Sequence, residues 1–460
     1  MPYHIQFMES EIKKVREIIN EKIYTVLEPL DAVMYKTREP LPFERRTEGE
    51  KSVVKVGEVW GENWDCAWFN FTGYVPESAA GKYVVLMIDV NGELCVFDDS
   101  GCPVEGLTSV EQYYPDWLGS PGKHIYPISE HGIPGEKIDI WADCASNDLF
   151  GGYIGDGKLK EAFIAVCNKP LRDLSYDFEV LYELYELIPK EKARKAAILH
   201  AMYNAAVTLT DYTEDEALYA RSVLKPELDK KGGDPSLEIT AIGHAHLDLA
   251  WAWPIRETIR KGARTFSTAI ANMGRYPDYV FGASQPQLYE WMKKYYPALY
   301  EKVKEKVRGG RWEPQGAMWV EADTNLTSGE SLVRQILYGK RFFFEEFGQE
   351  MKVLWMPDVF GYTGALPQIM KKSGVDYFMT TKILGNRYNK MPHHTFIWKG
   401  IDGTGVLAHM PPEGYNSSAA PHAILKMEED YTDKGVAHEA LLLFGIGDGG
   451  GGPGEAHLER

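Results

Sequence analysis

Two histidines and an aspartate follow an apolar segment, Glu238–Gly243, that we predict to be a β-strand. In extended backbone, side chains two residues apart point to the same side, so His244, His246 and Asp248 would share one side. An imidazole and a carboxylate that converge in this way can bind a zinc ion. Histidines that are hydrogen-bonded in the core, with Asp248 as a helix cap, explain the same pattern about equally well. This segment alone therefore indicates either half of a metal site or the start of a helix.

Acidic residues also follow three other predicted strands. They are Asp358 after Lys352–Met356, Glu321 and Asp323 after Arg311–Gln315, and Asp448 after Ala440–Gly445. Each could be a turn or helix-cap residue, and the four glycines after Asp448 could form a loose surface turn. Because the carboxyl ends of parallel strands meet at one edge of a sheet, these acids would lie close to the histidines. The sequence thus predicts carboxylates gathered around one metal ion at this edge.

A neutral, polyhydroxylated substrate fits these residues best. The chain of 460 residues has 67 Asp and Glu against 50 Lys and Arg, a formal net charge of -17, which argues against a nucleic-acid partner. Aromatic residues that could stack on sugar rings lie among the acidic segments: Trp251, Trp253, Trp312, Trp319, Trp355 and Tyr362. Some of them must belong to the core. A glycosidase needs two carboxyl groups that flank the scissile bond, and this sequence offers several.

The segments after residue 236 alternate between predicted strands and helices. Besides the strands above, the predicted strands are Tyr279–Ala283, Asp376–Thr380, Thr395–Trp398 and Val406–His409. The predicted helices are Ile255–Met273, Gln287–Val307, Ser331–Phe347 and Leu366–Lys372. Alternation of this kind predicts an α/β domain with a largely parallel sheet, either open or closed into a barrel. We assign residues 236–460 to this domain.

The first half of the chain has a different texture. Apolar residues at helical spacing predict an amphipathic helix over about 8–36. Short runs rich in β-branched and aromatic residues, separated by turn signals, predict an antiparallel β-sandwich. A helical composition returns before the α/β domain. We therefore divide this half into an N-terminal helical segment (1–45), a β-sandwich-like domain (46–170) and a helical linker (171–235).

The sequence also bears on the compartment. No apolar run reaches the ~18 residues that a membrane span needs, and the first residues lack the apolar core of a signal peptide. The five cysteines form no Cys-x-x-Cys pair, so we expect buried, reduced thiols. These features favour a cytoplasmic protein without a membrane or nucleic-acid partner.

Several motifs together resemble one known family. They are His246-Leu-Asp248-Leu-Ala-Trp251, Ser284-Gln285-Pro286, Gly329-Glu330-Ser331, Trp355-Met-Pro357-Asp358-Val-Phe360-Gly361-Tyr362, Pro392-His393-His394 and Gly447-Asp448-Gly-Gly-Gly-Gly-Pro453. In this order they resemble glycoside hydrolase family 38, the α-mannosidases, and among these the cytosolic type with an N-terminal β domain. The resemblance is strong from about 236 to 453 and looser over the preceding β region.

The resemblance implies a retaining exo-mannosidase that depends on zinc, with cobalt as a possible alternative. It implies that His246 and Asp248 are metal ligands and that Asp358 is both a ligand and the nucleophile. Trp251 would stack on the mannose ring. The substrate would be an oligosaccharide or simpler mannoside with a terminal α-mannosyl residue, and we also expect a homo-oligomer.

The resemblance also bears on the general acid and on the fourth metal ligand. Asp448 occupies the expected position of the acid, and Glu321 and Asp323 are lower-ranked choices for the acid or for binding sugar hydroxyls. The family's fourth ligand, a histidine, lies further downstream than Arg460, so we expect this chain to lack part of the catalytic domain. His457 could replace that ligand only by accident.

Two other functions remain open from the residues. A metal-dependent carbohydrate deacetylase also places His and Asp ligands at strand ends, but it uses metal-activated water and needs no carboxylate nucleophile. A non-catalytic sugar-binding protein would use the β domain as its lectin-like part. A glycosyl adduct on Asp358 would distinguish a mannosidase from both.

Overall fold

The computed structural model describes residues 4–110, 118–152, 155–233 and 237–460. The first half contains an N-terminal helix, an antiparallel β domain and three further helices, and the second half is an α/β domain. The predicted fold class is confirmed. The predicted boundary between the helical linker and the α/β domain falls at residues 234–236, outside the described residues.

The N-terminal helix is shorter than predicted. Helix α1 (Ile5–Lys22) buries Met8, Ile12, Val15 and Ile19 at helical spacing. The prediction of a helix up to residue 36 is wrong, because two strands follow: β1 (Tyr24–Pro29) and β2 (Asp31–Thr37). In β2 the burial alternates, as it does in a strand with one buried face. The predicted helical segment 1–45 thus contains two strands of the β domain.

Ten more strands complete the β domain. They are β3 (Glu50–Val53), β4 (Val59–Gly61), β5 (Cys66–Tyr74), β6 (Val84–Asp89), β7 (Glu93–Phe97), β8 (Pro103–Thr108), β9 (Ile125–Ser129), β10 (Lys137–Ala145), β11 (Gly157–Lys158) and β12 (Glu161–Cys167). One antiparallel sheet has the order β1-β12-β6-β9, a second has β3-β2-β5-β10-β7-β8, and β4 pairs with β11. Side chains of both large sheets, such as Phe69, Phe71, Leu86 and Ile164, share one core. This is the predicted sandwich.

The segment predicted as a helical linker packs against the sandwich. Its helices are α2 (Lys169–Leu187), α3 (Ala193–Ala206) and α4 (Glu214–Leu228). Together with α1 they bury a cluster that includes Val85 of β6 and Ala165 of β12. The five cysteines, all within the described residues, are buried free thiols, as predicted.

All eight strands predicted for the second half are present. They are β13 (Glu238–His244), β14 (Phe281–Ala283), β15 (Trp312–Pro314), β16 (Val353–Trp355), β17 (Tyr377–Met379), β18 (Thr395–Lys399), β19 (Gly405–His409) and β20 (Glu439–Phe444). The helices are α5 (Ile255–Arg275), α6 (Pro286–Tyr295), α7 (Pro297–Arg308), α8 (Gly329–Phe347), α9 (Leu366–Lys372), α10 (Pro421–Asp430) and α11 (Glu455–Glu459). The single helix predicted over Gln287–Val307 is wrong: α6 ends before Pro297, which lacks the N–H needed to continue a helix and instead opens α7.

The strands form two facing groups. Four parallel strands have the order β15-β14-β13-β20, and β16-β17-β19 are parallel with β18 antiparallel at the edge. Ile242 and Leu443 of the first group contact Trp355 and Met379 of the second in one buried cluster. The arrangement is therefore barrel-like, with the carboxyl ends of the parallel strands at one end. Within the described residues, we find no helix with the length and apolar character of a membrane span.

Helix α5 connects the two halves. At Gly106 of β8 the helix comes so close that an added Cβ atom would lie 2.8 Å from Cβ of Arg264. The backbone N–H of Gly106 donates to Oγ1 of Thr268 at 3.0 Å. Charged side chains of α5 are buried against the sandwich, among them Arg260, whose guanidinium contacts Asp143. The β domain is thus packed directly on the α/β domain.

Candidate metal centre

Four of the predicted site residues converge. One ligand atom from each of His246, Asp248, Asp358 and Asp448 lies within 4.8 Å of the others. Nε2 of His246 is 3.5 Å from Oδ1 of Asp248 and 3.8 Å from Oδ2 of Asp358. One imidazole nitrogen and three carboxylate oxygens form a donor set that suits zinc or cobalt.

The strand ends place these side chains. His246 and Asp248 follow β13, Asp358 follows β16, and Asp448 follows β20. The segments after β13 and β20 continue side by side, since the backbone N–H of Asp248 donates to the carbonyl of Asp448 at 3.1 Å. Asp448 has a positive φ of 58°, which an aspartate tolerates better than most residues. The convergence therefore depends on the parallel sheet and on two irregular loops.

The glycines after Asp448 do not form a loose surface turn. A Cβ atom at Gly449 would lie 1.7 Å from the carbonyl oxygen of Leu149, in a loop of the β domain. The N–H of Gly451 donates to Oγ1 of Thr265 at 2.8 Å, and its carbonyl accepts from Nζ of Lys123 at 2.7 Å. The glycine-rich loop thus lies between α5 and the sandwich, and only glycine fits at position 449.

His244 does not join the group. Its Nδ1 bonds to the carbonyl of Gly282 at 2.9 Å, and its ring packs edge-on against Trp355. Burial lowers the pKa of His244 to about 4. The prediction that it shares a side with His246 and Asp248 is wrong because β13 ends at His244 and the strict alternation ends with it. His244 is a core residue beneath the site.

The described residues provide no hydrogen-bond partner for either ring nitrogen of His246. Burial opposes a charge on this ring, but the carboxylates of Glu321 and Asp248 outweigh it and raise its pKa well above the usual range. A buried imidazole with two unsatisfied nitrogens is costly unless something binds it. A cation between Nε2 and the carboxylates would satisfy it, so the residues fit a divalent metal ion.

Two residues that the sequence analysis did not single out contact the predicted nucleophile. The hydroxyl of Tyr415 lies 2.7 Å from Oδ1 of Asp358 and 2.8 Å from Oδ1 of Asp448. Nζ of Lys382 donates to the same oxygen of Asp358. Lys382 comes soon after the end of β17, so the strand-end argument, applied to every strand, would have found it. Tyr415 lies further beyond the end of β19, and no signal in the sequence pointed to it.

The contact of Tyr415 with two carboxyl groups constrains their protonation. The phenol of Tyr415 has a single proton, so it can donate a hydrogen bond to only one of the two carboxyl groups. The second contact is a hydrogen bond only when the other carboxyl group carries a proton and donates it to the phenol oxygen. Burial raises the pKa of Asp448, and the charges of Asp358 and Asp248 raise it further, although His246 and Tyr415 act against this. Asp448 therefore holds a proton more readily than an ordinary aspartate does.

The predicted substrate-binding residues, Glu321, Asp323 and Trp251, are not members of the group of four ligands. Glu321 is buried next to His246, with Oε2 3.4 Å from Nδ1. Oδ1 of Asp323 accepts from the backbone N–H groups of Asn325 and Leu326, as in a turn. Trp251 is 55% exposed, as a ring that stacks on a sugar must be. Their roles toward a substrate stay predictions.

His457 is not near the four ligands. Its Nδ1 accepts from the N–H of Gly454 at 3.2 Å and its Nε2 bonds to the carbonyl of Leu118 at 2.8 Å. Both nitrogens are thus used within the protein. His457 joins the end of the chain to the β domain instead of binding a metal ion.

Acidification is expected to destabilise the protein through His457. Burial lowers the pKa of this imidazole to about 3, whereas it protonates near ~6.5 in the unfolded chain. Below pH ~6.5 the unfolded state therefore binds more protons, and the free energy of unfolding falls as pH falls, by up to about 1.4 kcal/mol per pH unit. Urea unfolding at pH 7, 6 and 5 should show a weaker pH dependence in His457→Gln than in the wild type. Equal dependence in both would contradict this expectation.

Comparisons with known proteins agree with the fold and the site. Residues 236–460 match the N-terminal domain of glycosyl hydrolases family 38, and residues 27–176 match the jelly roll domain of alpha-mannosidase. The second match begins within β1, in keeping with the corrected start of the β domain. The two matches together cover the β domain and the α/β domain. Helix α1 and most of the segment that contains α2, α3 and α4 lie outside them.

Three curated relatives match most of this chain. Alpha-mannosidase 2C1 of Mus musculus is 36% identical over 93% of this chain and 41% of its own length. Alpha-mannosidase G of Dictyostelium discoideum is 35% identical over 98% of this chain and 42% of its own. Alpha-mannosidase of Saccharomyces cerevisiae is 31% identical over 91% of this chain and 40% of its own length. This chain thus spans about two fifths of the length of these relatives.

A parallel α/β barrel-like domain with a rim of carboxylates, matched in this way, defines a glycoside hydrolase. The chain belongs to glycosyl hydrolases family 38, and it carries both the jelly roll domain and the N-terminal domain of that family. The family predicted from the motifs is confirmed.

Proposed function

We propose that this protein is a retaining, metal-dependent α-mannosidase that removes terminal α-mannosyl residues from oligosaccharides. The observation that carries the proposal is the convergence of His246, Asp248, Asp358 and Asp448 in a chain of family 38. The names of its relatives support the mannoside as substrate. Location in the cytoplasm and a homo-oligomeric state stay predictions from the sequence.

His246, Asp248 and Asp358 would hold zinc, or cobalt in its place. Their donor atoms suit either ion, whereas magnesium prefers a shell of oxygen ligands. A bound zinc ion would supply a Lewis acid that polarises and orients the hydroxyl groups of the sugar. Asp358 lies at the edge of the donor set, in contact with Tyr415 and Lys382.

Asp358 would act as the nucleophile. Nζ of Lys382 and the hydroxyl of Tyr415 both contact Oδ1 of Asp358 and would hold its carboxylate in place. A carboxylate oxygen of Asp358 bonds to the anomeric carbon while the glycosidic C–O bond breaks, and the departing oxygen takes a proton from Asp448. The product of this step is a mannosyl-aspartate ester.

Water completes the cycle. Asp448, now ionised, removes a proton from a water molecule whose oxygen attacks the anomeric carbon, and Asp358 leaves as a carboxylate. The two steps each invert the configuration at the anomeric carbon, so the configuration is retained overall. The hydroxyl of Tyr415 contacts both Asp358 and Asp448, and one oxygen of each lies within 4.8 Å of the other. A short separation of this kind is compatible with a retaining mechanism.

Removal of the metal is expected to abolish turnover reversibly. Dialysis against a chelator should lower kcat for an aryl α-mannoside by at least about 100-fold, because the sugar loses its anchor and His246 its partner. Zinc or cobalt should restore activity, and magnesium, the control, should not. Full activity in protein shown by elemental analysis to hold almost no metal would reject the proposal.

A further inference from the structure

The buried carboxylate of Glu321 faces the metal ligand His246 from the side opposite to the other acids. Oε2 of Glu321 is 3.4 Å from Nδ1 of His246, while Nε2 of the same ring faces Asp248 and Asp358. The side chains of His246 and Glu321 are only 4% and 6% exposed. Glu321 is therefore next to the donor set without belonging to it.

The two facing atoms have no other partner. Among the described residues, neither Nδ1 of His246 nor Oε2 of Glu321 has a hydrogen-bond partner. An unpaired buried carboxylate oxygen and an unpaired buried ring nitrogen are each costly. A short movement of either side chain would join them in a charge-assisted hydrogen bond.

Glu321 is also held in this position by the protein. The hydroxyl of Ser284 donates to its Oε1 at 2.9 Å. Its backbone N–H donates to the side chain of Gln285 at 3.3 Å, and that side chain donates to the carbonyl of Leu247 at 2.9 Å. The loops after β13, β14 and β15 thus fix the carboxylate relative to His246.

We propose that Glu321 is a positioning residue of the metal site, which accepts Nδ1–H of His246 and so directs Nε2 toward the metal. This inference rests on the metal-dependent function proposed above. A neutral imidazole carries one proton, and the hydrogen bond at one nitrogen determines that the other is free to bind. A carboxylate in this place also makes the ring a stronger ligand, and loss of such a partner typically weakens metal binding by about 10- to 100-fold.

This role differs from the two that the sequence suggested for Glu321. A general acid or a residue that binds sugar hydroxyls must present an oxygen to the substrate. Oε1 of Glu321 is bound to Ser284 and Oε2 faces His246. Both oxygens are therefore directed at the protein.

The test compares zinc affinity of the full chain, measured by competition with a chromophoric chelator. Glu321→Gln, which keeps the shape but removes the charge, should raise the Kd for zinc by about 10-fold or more. Glu330→Gln, the same substitution at an exposed position where α8 begins, is the matched control and should leave the Kd unchanged. Ser284→Ala removes only the hydroxyl that holds Oε1 and should raise the Kd by about two- to threefold. Ser284→Ala also serves as the second variant if far-UV circular dichroism shows that Glu321→Gln does not fold.

Two further measurements separate positioning from direct action on the sugar. In ¹⁵N-histidine spectra of the zinc-loaded protein, His246 should be protonated at Nδ1, and this signal should shift in Glu321→Gln. If Glu321 acts through the metal, added zinc should restore most of the kcat that Glu321→Gln loses at limiting zinc, whereas a loss that zinc does not restore would point to direct action on the sugar. An unchanged Kd together with a large loss of kcat would overturn the inference and return Glu321 to the substrate. Failure of the full-length wild-type protein to bind zinc would instead overturn the proposed function itself.

Discussion

Asp358→Asn is expected to lower kcat for an aryl α-mannoside by about 10⁴-fold or more, the scale on which enzymes lose activity without their nucleophile. The amide has nearly the same shape, so it can still contact Tyr415 and can still offer an oxygen to a metal. It cannot form the ester with the anomeric carbon. The loss should therefore appear in kcat much more than in KM.

The covalent intermediate can be detected directly in the same experiment. A 2-fluoro mannoside with a good leaving group should label the wild type on the peptide that contains Asp358, and NMR of the first product should show retention of the anomeric configuration. Asp402→Asn, in an exposed turn where Asp402 binds Thr404, is the control and should keep activity within about twofold. Label on another residue, or an inverted first product, would reject Asp358 as the nucleophile and favour another mechanism.

Arg260→Met is expected to cost about 3–5 kcal/mol of the free energy of unfolding, the usual cost of leaving buried charges without their partner. The guanidinium of Arg260 donates to both oxygens of Asp143 in β10, at 2.6 and 2.8 Å, and to Glu257 of α5 at 2.7 Å. Its side chain is 2% exposed. Methionine has a similar length but would leave Asp143 buried without its partner and Glu257 with only the longer ion pair to Arg264, at 3.7 Å. The urea midpoint should fall sharply.

Arg256→Met, four residues earlier on the same helix, is the matched control. Arg256 pairs with Glu39, whose side chain is largely exposed, and such pairs contribute at most about 1 kcal/mol. Similar losses in both variants would mean that the buried ion pair does not hold the two halves together. Because a chain of this size can unfold in steps, unfolding should be followed by two probes.

The relation between sequence and structure is clearest in the strands of the second half. Strand positions followed from short apolar runs between helical patterns, and all eight strands formed because their sequence preference and their burial agree. Helix α1 shows the opposite case. Apolar spacing continues past Lys22 in a way that also fits a helix, but pairing of β1 with β12 and of β2 with β5 decides the outcome. Those partners lie far away in the sequence, so a local pattern could not reveal them.

The candidate metal centre also combines features that the sequence predicted with features that only the structure shows. Residue types at strand ends predicted acids and histidines at one edge of the sheet, since parallel strands carry their carboxyl ends there. That set also included His244, Glu321 and Asp323, which lie outside the group of four. The family resemblance singled out His246, Asp248 and Asp358 as ligands. Tyr415 follows β19 by a loop whose course no periodicity predicts, and its place between two carboxyl groups is visible only in three dimensions.

The sequence by itself determined the family and the α/β class and placed the candidate acids at strand ends, because motifs, hydrophobic periods and strand ends are local properties of the chain. Only the tertiary structure decided that His244 turns into the core, that Glu321 faces His246, and that the glycine-rich loop is pressed against Leu149 of the β domain. Each of these depends on side-chain direction and close packing between segments distant in sequence. Such contacts are set by distances of a few ångströms, which residue spacing along the chain does not specify.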